Sequence, residues 1–414
     1  APATVDGRVE IRFREMSAYG YTDARDGVPF LVLHRNFQGF PDNADPEGTA
    51  VGAAKVTVAH ELKHASQHVA TGWTEGGWLE ADATWAEDHV FPVPNDYVRY
   101  VAFGSPVSSP NAWLPASYGD CLFQQVIAAT EGVDALVRFF ERRATRPGES
   151  VLTSFDESLR LSGSRLSRPL ETLGVWTYFC GSNAANRPVG FADAGDFPTP
   201  PLRSHLATAL EQAADEVAPL GTHHVIAFRA DRTGRPQVEF TGDQGGHFSL
   251  TAIVTRPTGT RSVHPLPMVT PHSSASEVPV AWEDAASVVL VATSLALDEA
   301  ARYTLSVNGP DAVDVRELAG AELLRLDPAR PNPFRDHTVL GFSLPAAASV
   351  RLAVYDVSGR LVRSLLEDAS LAAGPHQVEW DGSDGSGRLA TPGMYYYRLE
   401  SRQGSASRRV LLLR

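Results

Sequence analysis

Cysteine, methionine, lysine and long apolar runs are all scarce in this 414-residue chain. Two cysteines, Cys121 and Cys180, are too few for a disulfide scaffold, so the core must come from apolar burial. No stretch approaches the roughly 18–20 consecutive apolar residues that a helix needs to span a membrane, so no membrane span is expected. Acidic residues outnumber basic ones 49 to 36, for a net charge of −13. That balance argues against nucleic acid as the main partner, because duplex binding needs a basic surface. Only Lys55 and Lys63 are lysines, and the arginine-rich remainder reads as codon bias. Hydrophobic residues at 43% and charged residues at 21% are ordinary for folded protein. At roughly 150 residues per domain, the length predicts about three domains. The opening Ala1-Pro2-Ala3 carries neither Met nor a basic-then-apolar leader, so either a removed signal segment or a late start is expected.

The texture changes along the chain. In the first half, Phe30-Leu31-Val32-Leu33 reads as a buried strand, and residues 41–53 as a loop rich in Pro, Asp, Asn and Gly. A helix is predicted over 54–70, with Val58, Leu62, Ala65 and Val69 as its apolar stripe. A second fits 78–90, with Leu79, Ala83, Ala86 and Val90. Further helices fit 117–145 and 168–180, and another ends near Ala218. After Pro219, short apolar runs alternate with Gly, Pro, Asp and Ser turns, the pattern of a β-sandwich. A third block follows Pro331-Asn332-Pro333-Phe334, with strands over 338–344, 350–355, 361–366, 377–380, 394–400 and 408–413, and a turn at Asp356-Val357-Ser358-Gly359. The expected domains are residues 1–218, 219–322 and 323–414. Their net charges of −11, −5 and +3 set the last one apart.

Chemistry concentrates in His60-Glu61-Leu62-Lys63-His64, an H-E-x-x-H pattern on the first helix. Positions i and i+4 share a helix face, so His60 and His64 can present ring nitrogens to one cation. Zn²⁺ accepts such ligands, and Glu61 beside them can take a proton from water. The stripe at 58, 62, 65 and 69 lies nearly opposite His60, which directs one face to the core and the other to a cleft. A third ligand is required. Position 70 is Ala70 and Gln67 stands where a glycine would be, so the pattern with a third histidine fails. His68 is about 12 Å along the helix from His60, too far to close the same site. Glu80, on the second helix after a turn through Gly72, Gly76 and Gly77, is the expected ligand. Glu87 shares its face two turns on and is expected to orient a histidine. Glu75, on the intervening loop, is the weaker alternative ligand.

Glu80, Ala83, Trp85 and Glu87 complete E-x-x-A-x-aromatic-x-E, and together with H-E-x-x-H this resembles the gluzincin zinc metallopeptidases. Thr57 to His68 is similar, more narrowly, to a family of inferred secreted bacterial metalloproteases, with Leu62-Lys63 where that family has an aromatic residue. The resemblance covers about residues 8–215 and implies a zincin-like α+β domain. It also implies that Tyr118, in Ser117-Tyr118-Gly119-Asp120, donates a hydrogen bond to the tetrahedral oxyanion. The G-x-M-E-N exopeptidase motif of the zinc aminopeptidases is absent, which argues against amino-end trimming. The last block, through Asn332-Pro333-Phe334, Val378-Glu379-Trp380-Asp381-Gly382 and Gly393-Met394-Tyr395-Tyr396-Tyr397, resembles the Ig-like hook-capping and type IX secretion sorting modules of exported bacterial proteins. Asp381, Asp384 and Gly387 read as a hairpin turn in preference to a cation loop.

The expectation is therefore a multidomain chain: an α+β zincin-like catalytic domain, a β-sandwich, then an Ig-like β-sandwich. Its function is that of a secreted bacterial zinc endopeptidase, with Zn²⁺ on His60, His64 and Glu80, Glu61 as general base, and a protein or peptide substrate. It is expected to be a monomer, with secretion machinery or the cell surface as a partner of the tail. The competing expectations are a catalytically idle surface-binding protein that works through its β-sandwiches, and a zinc hydrolase of non-peptide amides. If the chain is exported, Cys121 and Cys180 are expected to bridge two helices, the alternative being two buried free thiols.

Overall fold

The computed structural model describes residues 9–110, 117–208, 211–229, 232–308, 325–327, 329–344, 347–356, 360–401 and 404–413. The chain divides into two units, residues 1–101 with 114–173, and residues 102–113 with 174–414.

The first unit begins with β1 (Glu10–Arg14), β2 (Gly20–Arg25) and β3 (Val28–His34). β3 is central, parallel to β1 and antiparallel to β2, which is why its residues form a continuous apolar run. Leu31 and Leu33 pack with Phe37, Ala53 and Ala65 beneath α1 (Thr49–Thr71). Gly72 ends α1 at φ 65°, where its N–H donates to the His68 carbonyl, a left-handed cap that favours glycine. The expected stripe needs correction. Val58 and Leu62 are only half-buried and Val69 is exposed, whereas Val56, Ala59, His60 and Glu61 are buried. α1 is covered on more than one face, by the sheet and by α2 (Trp78–Val90).

α2 is buried nearly all round, from Trp78 through Glu87, and its alanines permit close approach. The short α3 (Val98–Val101) follows. The helix expected over 117–145 is three pieces: a 3-10 turn at Tyr118–Asp120, α4 (Cys121–Glu131) and α5 (Val133–Thr145). Gly132, at φ 83°, interrupts it. α6 (Val151–Arg160), absent from the sequence reading, starts on Ser150, whose hydroxyl accepts from the Thr153 N–H. Phe139 stacks on Phe155 at 3.8 Å, with Trp78 and Phe123 against the same ring. Each such pair adds about 0.5–1.5 kcal/mol beyond burial.

α7 (Ser167–Tyr178) leads into the second unit, which is mostly β. Its strands are β4 (Ser204–Leu206), β5 (Gln212–Val217), β6 (Thr222–Phe228), β7 (Gln237–Gly242), β8 (Phe248–Thr255), β9 (Arg261–Leu266), β10 (Ser273–Glu277), β11 (Ser287–Ser294) and β12 (Ala301–Asn308). Sheets in the orders β4-β6-β11-β8-β9 and β10-β7-β12-β5 enclose Phe240, Leu250, Trp282, Leu290 and Leu305. The helix expected to end near Ala218 is instead β5. Ala213 and Val217 point into the core and Ala214 and Glu216 outward, so pairing with β12 overrides the helical leaning of Ala-Ala-Asp-Glu. Val175, Tyr178 and Phe179 pack on Ile226, Ile253 and Val289 of the five-stranded sheet. Gly174 has no room for a side chain, since a Cβ there would lie 2.4 Å from the Thr293 hydroxyl oxygen.

The last strands are β13 (Arg325–Leu326), β14 (Thr338–Leu344), β15 (Ala348–Asp356), β16 (Leu361–Leu371), β17 (Gly374–Trp380), β18 (Gly393–Ser401) and β19 (Gly404–Leu412). Sheets β13-β14-β17 and β16-β15-β18-β19 close over Phe334, Phe342, Leu352, Trp380 and Tyr397. Phe103 lies 4.9 Å from Tyr355 and 6.0 Å from Tyr396, centroid to centroid. Asp381 accepts from Ser383, and Asp384 from Ser386 and Arg388, so both carboxylates close turns. The boundary expected between 322 and 323, and Val357–Gly359 of the expected turn, lie outside the described residues.

The Cys121–Cys180 bridge is not formed: both thiols are free and buried, Cys121 in the first unit and Cys180 in the second. Burial pushes both thiols up in pKa, which leaves them unreactive. No described helix is long and apolar enough to cross a membrane.

Two buried histidines on β6 tie stability to pH. Burial lowers His223 to about 3 and His224 to about 4, against the pull of Asp215 and of the Gly174 carbonyl respectively. Both bind a proton more readily unfolded than folded. Stability is therefore present above about pH 6.5 and lost as pH falls toward 4, by about 1.4 kcal/mol per pH unit for each histidine. Thermal melts of the full chain should show this loss, and a His224→Gln variant should show a shallower one. A melting temperature flat between pH 7 and 4 would contradict it.

Candidate metal centre

His60 and His64 leave α1 on one face with their rings edge to face, centroids 4.7 Å apart. Glu80, in the first turn of α2, points its carboxylate at both. Three atoms converge: the two Nε2 atoms are 3.0 Å apart, and Glu80 Oε2 is 3.2 Å from His60 Nε2 and 3.5 Å from His64 Nε2. Tetrahedral zinc with ligands at about 2.0–2.1 Å places its donors about 3.3–3.4 Å apart, so this set fits such an ion in donor type and spacing.

The surroundings hold the two imidazoles. Glu87 Oε1 lies 2.6 Å from His60 Nδ1. A carboxylate only accepts, so Nδ1 carries the proton. His64 Nδ1 lies 2.7 Å from Gln67 Oε1. The His64 carbonyl accepts from Trp73 Nε1 at 2.8 Å. Burial opposes charge on His60, but hydrogen bonds to Glu80 and Glu87 carry its pKa up to about 10. Burial raises Glu80, and the two histidines reverse this and hold it well below the usual carboxylate range.

Glu61 is 5% exposed and takes a hydrogen bond from Thr22 Oγ1 at 2.7 Å. Burial raises its pKa against the pull of His60, so it holds a proton more readily than a surface glutamate. Tyr118 stacks on His60 at 5.6 Å and on Tyr100 at 4.9 Å. Burial and the Glu80 carboxylate, its hydrogen-bond partner, raise the phenol's pKa and keep it a donor. All six expected site residues, His60, Glu61, His64, Glu80, Glu87 and Tyr118, are thus gathered at one place.

Four neighbours escaped the sequence reading. Gln67 carried a signal, since i and i+3 share a helix face with His64. Asp82, Tyr100 and Thr22 carried none, because folding alone brings them there. The alternative ligand Glu75 is placed elsewhere. It pairs with Arg143 Nε at 3.0 Å and accepts from Thr71 at 2.6 Å, all in the helical core.

Removing one partner of a buried pair leaves a bare charge, at a cost of about 3–5 kcal/mol. Arg143→Met should lower stability toward denaturant by that order and leave His60, His64 and Glu80 in place. A variant as stable as wild type would show that the pair is not what holds this turn.

A family of Ig-like domains, the FlgD Ig-like domain, matches residues 334–405. No curated protein matches the chain. Similar solved structures include PorZ, an essential bacterial surface component of the type IX secretion system of Porphyromonas gingivalis. It has 16% identity and a TM-score of 0.17, over 27% of this chain and 14% of that one. Latent PorU from the same organism has 16% identity and a TM-score of 0.23, over 51% and 19%. A beta-1,2-glucanase from Parabacteroides distasonis has 7% and 0.16, over 50% and 38%. The chain spans less than a fifth of the length of the two Porphyromonas proteins. The chain is thus a mostly β-sheet, multidomain protein with a helical region and an Ig-like module at its C-terminal end.

Proposed function

We propose that the helical unit is a zinc-dependent endopeptidase of the zincin kind, carried by an exported bacterial protein. The observation that carries this reading is the triangle of His60 Nε2, His64 Nε2 and Glu80 Oε2, with the buried carboxylate of Glu61 next to it in the chain. Zinc held by these three residues would supply Lewis acidity, polarising a peptide carbonyl and lowering the pKa of water.

The chain's own groups supply the rest. Glu61 takes the proton of the attacking water as the oxygen–carbon bond forms, and delivers it to the nitrogen as the carbon–nitrogen bond breaks. Thr22 holds that carboxylate in place. Glu87 keeps the proton of His60 on Nδ1, so that Nε2 remains a donor atom. Tyr118, a protonated phenol beside Glu80, donates to the developing oxyanion. Among the described strands, β2 pairs with β3 alone, which leaves its other edge beside Thr22 for an extended backbone. That edge favours a peptide over other amides. The Ig-like module supports export and a place at the cell surface or outside.

The test combines metal content with cleavage of an unstructured protein, with and without chelator. Glu61→Gln should keep zinc and lose about 10²–10⁴-fold or more in turnover, since an amide cannot accept the proton. Glu80→Gln should lose zinc affinity first, with activity partly restored by added zinc. Wild-type cleavage by the Glu61→Gln variant would refute the mechanism. A wild-type protein that takes up no zinc would leave the idle surface-binding reading in its place.

A further inference from the structure

Gln67, on α1, is 1% exposed, and its side chain reaches across to α2. We infer that Gln67, held by Asp82, is a positioning residue that sets which nitrogen of His64 carries the proton. The inference rests on the zinc-site reading above and names a residue outside the ligand set.

The argument is one of donors and acceptors. A glutamine side chain has one accepting oxygen and a donating NH₂. The NH₂ of Gln67 meets the Leu79 carbonyl at 3.1 Å and Asp82 Oδ2 at 3.1 Å. Both of those groups only accept, so the amide cannot be turned the other way. Its oxygen therefore faces His64 Nδ1 at 2.7 Å and requires a donor there, which places the His64 proton on Nδ1. In the neutral ring this leaves the lone pair on His64 Nε2, the atom aimed at the triangle.

Asp82 is itself held. It is 3% exposed, and Lys63 Nζ lies 2.8 Å from the same Oδ2 that accepts from Gln67. The ammonium of Lys63 sits 4.2 Å from the Phe140 ring centroid. Lys63, Gln67 and Asp82 thus tie the His64 turn of α1 to the Glu80 turn of α2. The two histidines are held differently: a carboxylate receives the proton of His60, and a neutral amide that of His64.

The experiment uses the full chain labelled with ¹⁵N-histidine. Long-range ¹H–¹⁵N couplings in the metal-free protein report which ring nitrogen is protonated, with His64 assigned by its loss in His64→Gln. Wild type should show the Nδ1–H form. Gln67→Met keeps length and burial but removes the hydrogen bonds. It should shift His64 toward Nε2–H and weaken zinc about 10–100-fold in competition with a chelator.

A paired exchange guards against a variant that fails to fold. Gln67→Glu alone sets a carboxylate against Asp82 and the Leu79 carbonyl, and should lose affinity. Adding Asp82→Asn supplies a donor to the new carboxylate and should recover most of the loss. A folded Gln67→Met protein that keeps the Nδ1–H form or wild-type zinc affinity overturns the inference, as does a paired variant with no recovery. A wild-type chain without zinc affinity would sink the zinc reading, while the tautomer measurement would still decide the role of Gln67.

Discussion

Three carboxylates crowd two imidazoles on the facing turns of α1 and α2, and this concentration of negative charge is what the helical unit is organised around. Glu61, Glu80 and Glu87 make no ion pair with lysine or arginine among the described residues. Buried charge without a partner is costly. Here the compensation is a proton on His60, whose pKa is carried up to about 10 despite burial. A divalent cation at the same place would answer the same need with the Nε2 atoms free to bind it. The donor set and the electrostatics therefore favour the same kind of occupant.

The scaffold explains how such a cluster is tolerated. The α1–α2 connection closes through Gly72 at φ 65° and Gly76 at φ 60°, and Glu75 between them is secured by Arg143 of α5. A short, well-anchored turn returns Glu80 to His60 and His64 with little conformational freedom left. The aromatic contacts of Trp78, Phe123, Phe139 and Phe155 hold the far side of α2. Rigid helices carry His60, His64 and Glu80, and hydrogen bonds donated to Glu87 and Gln67 orient the two rings, an arrangement in which a cation would require little reorganisation.

The second unit is built on a different principle. Its sheets are stabilised by apolar burial between layers, with Trp282 and Trp380 buried in the two sandwiches. The match to Ig-like domains falls wholly within the last of these. The carboxylates of Asp381 and Asp384 in that module close local turns, and in the preceding sandwich His223 meets the Tyr303 hydroxyl, 80 residues on, at 2.8 Å. Nothing in those turns resembles the convergence of donors seen in the helical unit.

The residues themselves determined the parts that depend on spacing along one element. His60 and His64 share a face because a helix repeats every 3.6 residues, and the range 78–90 for α2 was legible, although its expected stripe was not, since Leu79 is half-buried and Val90 exposed. The strands of the tail were legible from alternation and turn residues, β14 to the residue. Tertiary structure decided what depends on distant partners. It made a strand of residues 212–217, whose local leaning is helical, because β12 offers an edge to pair with. It exposed Val69 and buried His60 and Glu61, because α1 meets neighbours on more than one side. It kept the two cysteines apart as free thiols, each in its own unit. It brought Thr22 to Glu61 across 39 residues, and Asp82 to Gln67 across 15. Contacts at such separations leave no local pattern, because their cost is paid in loop closure and their gain appears only once the chain is folded.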